Sequence, residues 1–359
     1  MKIGFLIYGN LDIVTGGFLY DRLLVEYLQS RGNQVEVISL PWPPYRRGLL
    51  DNFSYSLKRR LQQLDCQLLI QDELIHPSFF RLNRKLRRRL QCPFIALVHH
   101  LRSREAHPPW RQRLYRWVEK RYLQGMDGFI CVSRATRGDV EQLAGNARPL
   151  VVAHPGGNRL PGAITLEGIV SRALAPGPLE IVFIGNLIPR KELHTLLAAL
   201  AEIHRPGWRL AVAGSLTADA AYAEKIRRQM VGLDLTSRVN LLGTLDSPDL
   251  ASLLARSHLL VVPSSYEGFG IVYLEGMSFG LPAIASTAGG AGEIINPGQD
   301  GFLVAPGDVA ALAGHLERLL LDRGLLLEMS LAARANFARH PTWEESLRAI
   351  HGFLHSFKA

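Results

Sequence analysis

The stretch Leu259-Leu260-Val261-Val262-Pro263-Ser264-Ser265-Tyr266-Glu267-Gly268-Phe269-Gly270-Ile271-Val272-Tyr273-Leu274-Glu275 decides the fold class of this 359-residue chain. Four consecutive apolar residues read as a buried strand, a turn bearing Gly268 and Gly270 follows, and a helix is expected from near Gly270. In open α/β sheets ligands bind outside the carboxyl ends of the strands, which is where this turn falls. Glycines allow close approach to the backbone, and a new helix offers unpaired N–H groups to a diphosphate. Glu267 precedes the helix and Glu275 lies about a turn and a half inside it. A carboxylate can accept from two vicinal hydroxyls, so one glutamate suits a sugar ring and the other a ribose. The plainer alternative makes Glu267 a helix cap and leaves Glu275 on a solvated face.

The same strand–helix alternation runs along the whole chain. Strands are predicted at Lys2–Tyr8, Gln34–Leu40, Leu68–Gln71, Phe94–His99, Gly128–Val132 and Leu150–Ala153, with helices such as Phe18–Ser30 and Arg111–Gly125 between them. Periodicity weakens from His154 to Glu180, where a linker is expected, and then restarts. Ile181–Ile184, Arg209–Ala213, Val239–Leu242, Leu259–Val262 and Ala283–Ala285 read as strands, and Asp308 to Lys358 as mostly helical with a break at His340-Pro341. Such alternation implies parallel sheets covered on both faces. The expected architecture is α/β, with two Rossmann-like doubly wound domains facing each other across a cleft. Their expected bounds are residues 1–160 joined by a terminal helix at about 341–359, and residues 161–340.

Composition narrows the class. Hydrophobic residues make up 47% and charged residues 20%, as in ordinary globular proteins, so disordered and fibrous classes are excluded. Three cysteines (Cys66, Cys92, Cys131) in a chain of this length do not make a disulfide framework, and a reducing, cytoplasmic setting is expected. No apolar run reaches the roughly 18 residues of a membrane span. The first ten residues read as a buried strand rather than a signal peptide. Charge is uneven: residues 1–150 hold 24 Lys+Arg against 13 Asp+Glu, a net +11, whereas the remainder is net −2.

The decisive stretch resembles the Glu-x7-Glu motif of retaining glycosyltransferases of the GT-B fold, specifically glycosyltransferase family 4. The resemblance continues through Gly280-Leu281-Pro282, Gly289-Gly290-Ala291-Gly292-Glu293 and Asp300-Gly301-Phe302. It implies transfer of a hexosyl unit from a nucleoside diphosphate sugar with retention of configuration, in the synthesis of a cell-envelope polysaccharide or glycolipid. A UDP-sugar is the favoured donor. It also implies that Glu275 binds the ribose, that Glu267 contacts the transferred sugar, and that the amides of Phe269, Gly270 and Ile271 face the phosphates, with Gly268 also at the donor. In Ile181-Val182-Phe183-Ile184-Gly185-Asn186-Leu187-Ile188-Pro189-Arg190-Lys191, Lys191 matches the family's diphosphate-binding lysine. Asn186 stands where the family has an arginine, and Arg190 is the candidate to replace it. Fixed cations stabilise the charge of a departing diphosphate, so no metal and no other cofactor is expected.

In the first half, Gly16-Gly17 resembles the family's phosphate-facing Gly-Gly loop. Of the two histidines ending the fourth strand, His99 matches the histidine near the reaction centre and His100 is the runner-up. Ser133-Arg134 resembles a segment at the cleft. Catalytic roles are therefore expected for His99, Glu267, Lys191 and Arg190. The resemblance places the acceptor (lipid-linked, glycan or small molecule) in the first domain, and domain closure completes the site.

Arg81–Arg89 and Trp110–Tyr122 are basic, the latter interleaved with aromatics, and Trp42 and Tyr45-Arg46-Arg47 add to the pattern. Such helices suit an anionic membrane surface, which predicts peripheral attachment at the inner face of the cell membrane. The alternative is a solvated basic face with its aromatic residues in the core. Rival readings of the whole chain are a nucleic-acid-binding or anionic-surface-binding protein without transferase activity, a sugar-nucleotide epimerase, a glycosidase carboxyl pair and a silent relative. Basic charge alone does not explain the donor constellation in the acidic half, so no nucleic acid is expected as partner. Both glutamates are expected to stay ionised near a helix N-terminus, unlike a glycosidase acid.

Overall fold

In the computed structural model, which describes every residue except Val14, Ala163, Lys358 and Ala359, the chain divides into two units. The first comprises Met1–Pro155 and Trp343–Ala359, the second Gly156–Thr342. Lys358 and Ala359, at the end of the expected terminal helix, lie outside the described residues.

The first unit is built on β1 (Lys2–Tyr8), β2 (Gln34–Leu40), β3 (Leu68–Asp72), β4 (Phe94–Val98), β5 (Gly128–Cys131) and β6 (Leu150–Val152), all parallel, in the order β2-β1-β3-β4-β5-β6. Its helices are α1 (Gly16–Ser30), α2 (Tyr45–Asp51), α3 (Tyr55–Leu61), α4 (His76–Phe79), α5 (Leu82–Leu86), α6 (Pro109–Leu123) and α7 (Arg134–Ala144). Strands β3, β4 and β5 are buried at every position, as both faces of a helix-covered parallel sheet require.

The second unit contains α8 (Leu166–Leu174), β7 (Leu179–Ile184), α9 (Leu193–Glu202), β8 (Trp208–Ala213), α10 (Ala220–Gly232), β9 (Val239–Gly243), α11 (Ser247–Arg256), β10 (Leu259–Val262), α12 (Ile271–Ser278), β11 (Ala283–Ser286), β12 (Gly301–Val304), α13 (Val309–Leu321) and α14 (Arg323–Phe337). The parallel sheet runs β12-β11-β10-β7-β8-β9. The terminal helix α15 (Trp343–His355) packs on the first unit, where Trp343 meets Tyr20 edge-on and Arg31 pairs with Glu344 at 2.6 Å.

Each sheet reverses its strand order once, between β1 and β3 in the first unit and between β7 and β10 in the second. The reversal splays the two following loops apart and leaves a crevice at the carboxyl ends. Both groups of candidate residues lie at these two points.

Two expectations are corrected. The stretch from His154 to Glu180 is not all linker. It contains α8, whose N-cap Thr165 accepts from the Gly168 amide at 3.1 Å and whose buried face is Ile169 and Ala173. Exposed Leu166 and Leu174 blur that helix's pattern. Gly301–Val304 forms an edge strand paired to β11. The Gly-Gly pair is not a loop either: α1 already begins at Gly16, and Thr15 caps it through its hydroxyl to Phe18 N. The three thiols are unbridged.

Candidate functional site

In the second unit, the segments after β7 and β10 meet. Lys191 Nζ lies 2.6 Å from Glu267 Oε2, and Arg190 Nη1 lies 3.5 Å from the same oxygen while donating to the Tyr266 carbonyl at 2.8 Å. Ser264 Oγ donates to Glu267 Oε2 at 3.1 Å. Burial works against the charged form of Glu267, but Lys191 and Arg190 outweigh it and hold the carboxyl down at about 2. Burial lowers the Lys191 ammonium in turn, and Glu267 opposes that shift. Gly185 accommodates this pair, since a Cβ there would sit 3.3 Å from the Lys191 stem.

The main chain of Glu267 is pinned as firmly as its side chain. Its N–H donates to the Ala288 carbonyl at 3.2 Å and its carbonyl accepts from Gly290 N at 2.8 Å. Gly289, at φ +93°, passes so close that a Cβ would stand 1.9 Å from the Glu267 carbonyl oxygen. This is the physical content of the downstream glycine motif. Gly270 caps α12 at φ +100°, and a Cβ there would run into the Tyr273 ring. Helix α12 therefore starts at Ile271 with its first N–H groups directed back toward the turn. The Phe269 ring is buried and tilted against His340.

Glu275 is buried on α12, not solvated. Its Oε1 accepts from Arg159 Nε at 2.6 Å, and Arg159 reaches Ser247 Oγ at 3.3 Å. Burial raises the Glu275 carboxyl and Arg159 offsets part of the rise. The two carboxyls differ in setting: Glu267 is held down by two cations, whereas Glu275 lies deeper, has one cation and is shifted upward. Asn186 is committed elsewhere, with Oδ1 accepting from Ser215 N at 3.0 Å and tying the β7 and β8 loops together. Arg190 does stand beside Lys191 on Glu267.

In the first unit, His99 follows β4 within a buried acidic group. Its Nε2 lies 2.9 Å from Asp21 Oδ1 and 3.7 Å from Asp72 Oδ2, and its main-chain N–H donates to Glu73 Oε2 at 3.0 Å. Burial raises the Asp21 carboxyl to about 7 and lifts Asp72 and Glu73 well above the usual carboxylate range. The short contact orients the ring, with the donor set by which of the two groups carries the proton. Gly17 lies against that ring, a Cβ there falling 3.4 Å from His99 Cδ2. Asp21, Asp72 and His99 also place three donor atoms within 4.8 Å of one another, the group among the described residues with the spacing a chelated cation needs. His100 turns instead to Glu105, at 2.8 Å. Arg134 is an exposed first residue of α7, with Ser133 as the cap accepting from Thr136 N.

Arg159, Ser264, Asp21, Asp72 and Glu73 were not expected here. Asp21 carried a readable signal, an acid on the face of α1 that also presents Leu24, Val25 and Leu28 to the core. Arg159 carried none, since it falls in the stretch read as linker.

Two doubly wound units with polar groups gathered at the switch points define the class of α/β proteins that bind ligands at the carboxyl ends of their strands. The description "Glycosyl transferases group 1" matches residues 169–336, and "Glycosyltransferase Family 4" matches residues 16–158. This chain belongs to glycosyltransferase family 4 and has the GT-B fold. It is 35% identical over 170 residues to a glycogen synthase of Mycobacterium tuberculosis, covering 47% of this chain and 40% of that protein. It is 34% identical over 168 residues to a Corynebacterium glutamicum protein described as a GDP-mannose-dependent monoacylated alpha-(1-6)-phosphatidylinositol monomannoside mannosyltransferase, covering 44% and 42%. The matches thus span less than half the length of these relatives. Sucrose-phosphate synthase from Thermosynechococcus elongatus has a similar fold, with TM-score 0.81, 22% identity and coverage of 99% and 98%. So has Anabaena HepE, solved with UDP and glucose, with TM-score 0.74, 22% identity and coverage of 99% and 100%.

Proposed function

We propose that this chain transfers a glycosyl unit from a nucleoside diphosphate sugar to an acceptor, with retention of configuration and no metal at the donor site. The observation that carries the reading is the Arg190–Lys191–Glu267 group beside the start of α12, at the β7/β10 switch point. A departing diphosphate gains negative charge as the glycosidic C–O bond breaks. Fixed cations and helix N–H groups stabilise that charge without reorganising. In this reading Lys191 and Arg190 hold the diphosphate, Glu267 accepts from sugar hydroxyls and Glu275, braced by Arg159, accepts from the ribose. No side chain acts as nucleophile. The acceptor oxygen attacks the face the diphosphate leaves, and its proton passes to the leaving phosphate. The second unit takes the donor. The first takes a lipid-linked, glycan or small-molecule acceptor, beside a His99 oriented by Asp21.

UDP-sugars head the donor series to be tested, with GDP-mannose beside them because one relative is described as dependent on it. A thermal-shift panel of nucleotide sugars is the first experiment. A ligand at about 100 times its dissociation constant adds about 2.7 kcal/mol to stability, a shift that is easily read. Proton NMR of the product's anomeric centre then tests retention, and turnover in EDTA tests metal independence. A panel without any shift overturns the reading. Asn186 favours a second reading, donor binding without turnover, because its side chain is committed to Ser215 and supplies no cation. A donor that binds but is neither transferred nor hydrolysed would support it.

A further inference from the structure

Two of the three thiols touch. Cys66 Sγ and Cys92 Sγ lie 3.7 Å apart, in van der Waals contact. Each stands two residues before a strand, β3 and β4, which pair in parallel with Leu69 opposite Phe94. Positions three and two residues upstream of that pair are diagonal neighbours, roughly 6 Å apart at the usual strand spacing. That separation is inside the span a disulfide bridges, so side-chain rotation is enough to bring the sulfurs together. The ladder holds both approaches in place: Leu69 N donates to the Pro93 carbonyl at 2.9 Å, and Gln67 N to the Lys2 carbonyl at 2.8 Å. Cys66 also packs beside β1, where a Cβ at Gly4 would stand 3.6 Å from its sulfur.

The two sulfurs are unequal. Cys92 is buried among Leu90, Phe94 and their neighbours, whereas Cys66 is half-buried at the edge of the same cluster. Burial works against a thiolate at Cys92. The Cys66 S–H donating to it and the nearby Arg87 guanidinium outweigh burial and lower Cys92 below the ordinary thiol range. Cys66 is raised, first because Cys92 holds its proton and then by burial. Arg87 is fixed near Cys92: its Nη2 reaches the Gly125 carbonyl and Asp127 Oδ2, each at 2.7 Å, and its guanidinium lies 4.6 Å from the Phe94 ring centre. A thiolate favoured by a cation, with a second thiol in contact, is the arrangement that oxidises first and resolves to a disulfide. Cys131 is the contrast, fully buried at the end of β5 with its thiol pushed up by that burial. The dithiol sits at the amino ends of β3 and β4, whose carboxyl ends lead to Asp72 and His99, so a bond there leaves the candidate site unoccupied.

We propose that Cys66 and Cys92 are a modification site, forming a reversible intrachain disulfide in response to hydrogen peroxide. The Cys92 thiolate attacks one peroxide oxygen, the O–O bond breaks, and the departing hydroxide takes up a proton as water, leaving Cys92 as a sulfenic acid. Cys66 then gives up its proton and attacks the Cys92 sulfur, the S–O bond breaks, and a second water leaves. Two thiols and one peroxide become one disulfide and two waters. A dithiol reductant returns both thiols by exchange and itself becomes the disulfide. In a reducing compartment such a bond is transient and sensing rather than structural. The inference stands without the transfer reaction.

The test is graded hydrogen peroxide on the reduced full chain, followed by alkylation in denaturant, intact mass and peptide mapping. The free thiols should fall from three to one, with a peptide pair joining Cys66 to Cys92, and dithiothreitol should restore all three. Cys66→Ser should stop at a sulfenic acid on Cys92 that dimedone captures. Cys92→Ser should lose its peroxide reactivity by about tenfold or more, and Cys131→Ser should form the bond at the parent rate. Three thiols persisting at a peroxide dose that oxidises free cysteine overturn the proposal. So does a bond through Cys131 or between two chains, or oxidation of Cys92 beyond the sulfenic acid in place of the bond. The parent chain gives these readouts by itself, so they hold even if a serine variant folds poorly.

Discussion

Lys191 Nζ and Glu267 Oε2 lie 2.6 Å apart and form an ion pair. Each side chain therefore holds the other in place, and Lys191 keeps two further N–H donors for the diphosphate of the proposed donor. Lys191→Ala should lower kcat by about 10²–10³, the usual cost of removing a transition-state charge donor. The double variant Lys191→Ala/Glu267→Gln should be more stable than the single losses predict when added, because each single variant strands a half-buried partner. Urea unfolding of the four proteins measures this. Strict additivity would show that the pair is not coupled.

The same pair sets a pH dependence. Glu267 is depressed to about 2 in the folded chain, so its stabilising contribution is present above the ordinary glutamate range and is lost as pH falls from about 4.5 through 2. An acid limb of the rate profile near pH 5–6 therefore belongs to another group. In Lys191→Ala the carboxyl is less depressed, so the loss should be smaller and should be complete at a higher pH. Denaturation at a series of pH values between about 2 and 6 compares the two proteins, and identical profiles would contradict the ion pair.

Gly289→Ala should be among the most damaging single-methyl changes in the second unit. The new Cβ meets the Glu267 carbonyl at 1.9 Å in a backbone region at φ +93° that side chains disfavour. A cost of about 2–3 kcal/mol, together with lost donor binding, is expected from the strain and from displacement of Glu267. Gly292→Ala is the control, its Cβ meeting only Leu303 Cδ1 at 3.6 Å. Calorimetry with and without donor separates the stability loss from the binding loss.

Arg159→Ala should cost about 2–4 kcal/mol by leaving Glu275 buried without its cation. The sign follows from burial raising Glu275. Stability tied to a raised carboxyl is complete below its ordinary range and is lost as pH climbs through the raised value. Without Arg159 the rise is larger, so the variant should fall further below the wild type at pH 8 than at pH 4. Adding Glu275→Gln should restore much of the difference at pH 8. A penalty independent of pH would place the role of Arg159 in packing alone.

Local patterns made most of this fold readable. Leu68–Gln71 and Leu259–Val262 read as strands because both faces of a parallel sheet are dry, and the glycine turn after Val262 marks its own ligand-facing end. The Glu267–Glu275 spacing was equally local. What could not be read was partnership over distance. Asp21 and His99 are 78 positions apart, Arg159 and Glu275 116, and no sequence window contains both members. The reason for Gly289 is also non-local, since it lies in the carbonyl of Glu267. Helix α8 was hidden because its buried stripe is only Ile169 and Ala173, flanked by exposed leucines. The division of α6 between core tyrosines (Tyr115, Tyr122) and surface tryptophans (Trp110, Trp117) follows from side chains of one type meeting different neighbours.

Asp21 offers a test in the first unit. Burial raises its carboxyl to about 7, so folding is penalised increasingly as pH climbs from about 4, where the unfolded chain releases the proton, toward 7. Asp21→Asn removes the charge while leaving an oxygen to accept from His99 Nε2. The stability of the variant minus that of the wild type should therefore increase between pH 4 and pH 8, by roughly 2–4 kcal/mol. Activity separates two roles for the same contact. If Asp21 only orients the imidazole, Asp21→Asn should preserve KM and most of kcat, whereas Asp21→Ala, which frees the ring, should lower kcat by tenfold or more. Equal losses in both variants would show that the carboxyl's charge or proton, rather than its acceptor oxygen, is what His99 requires.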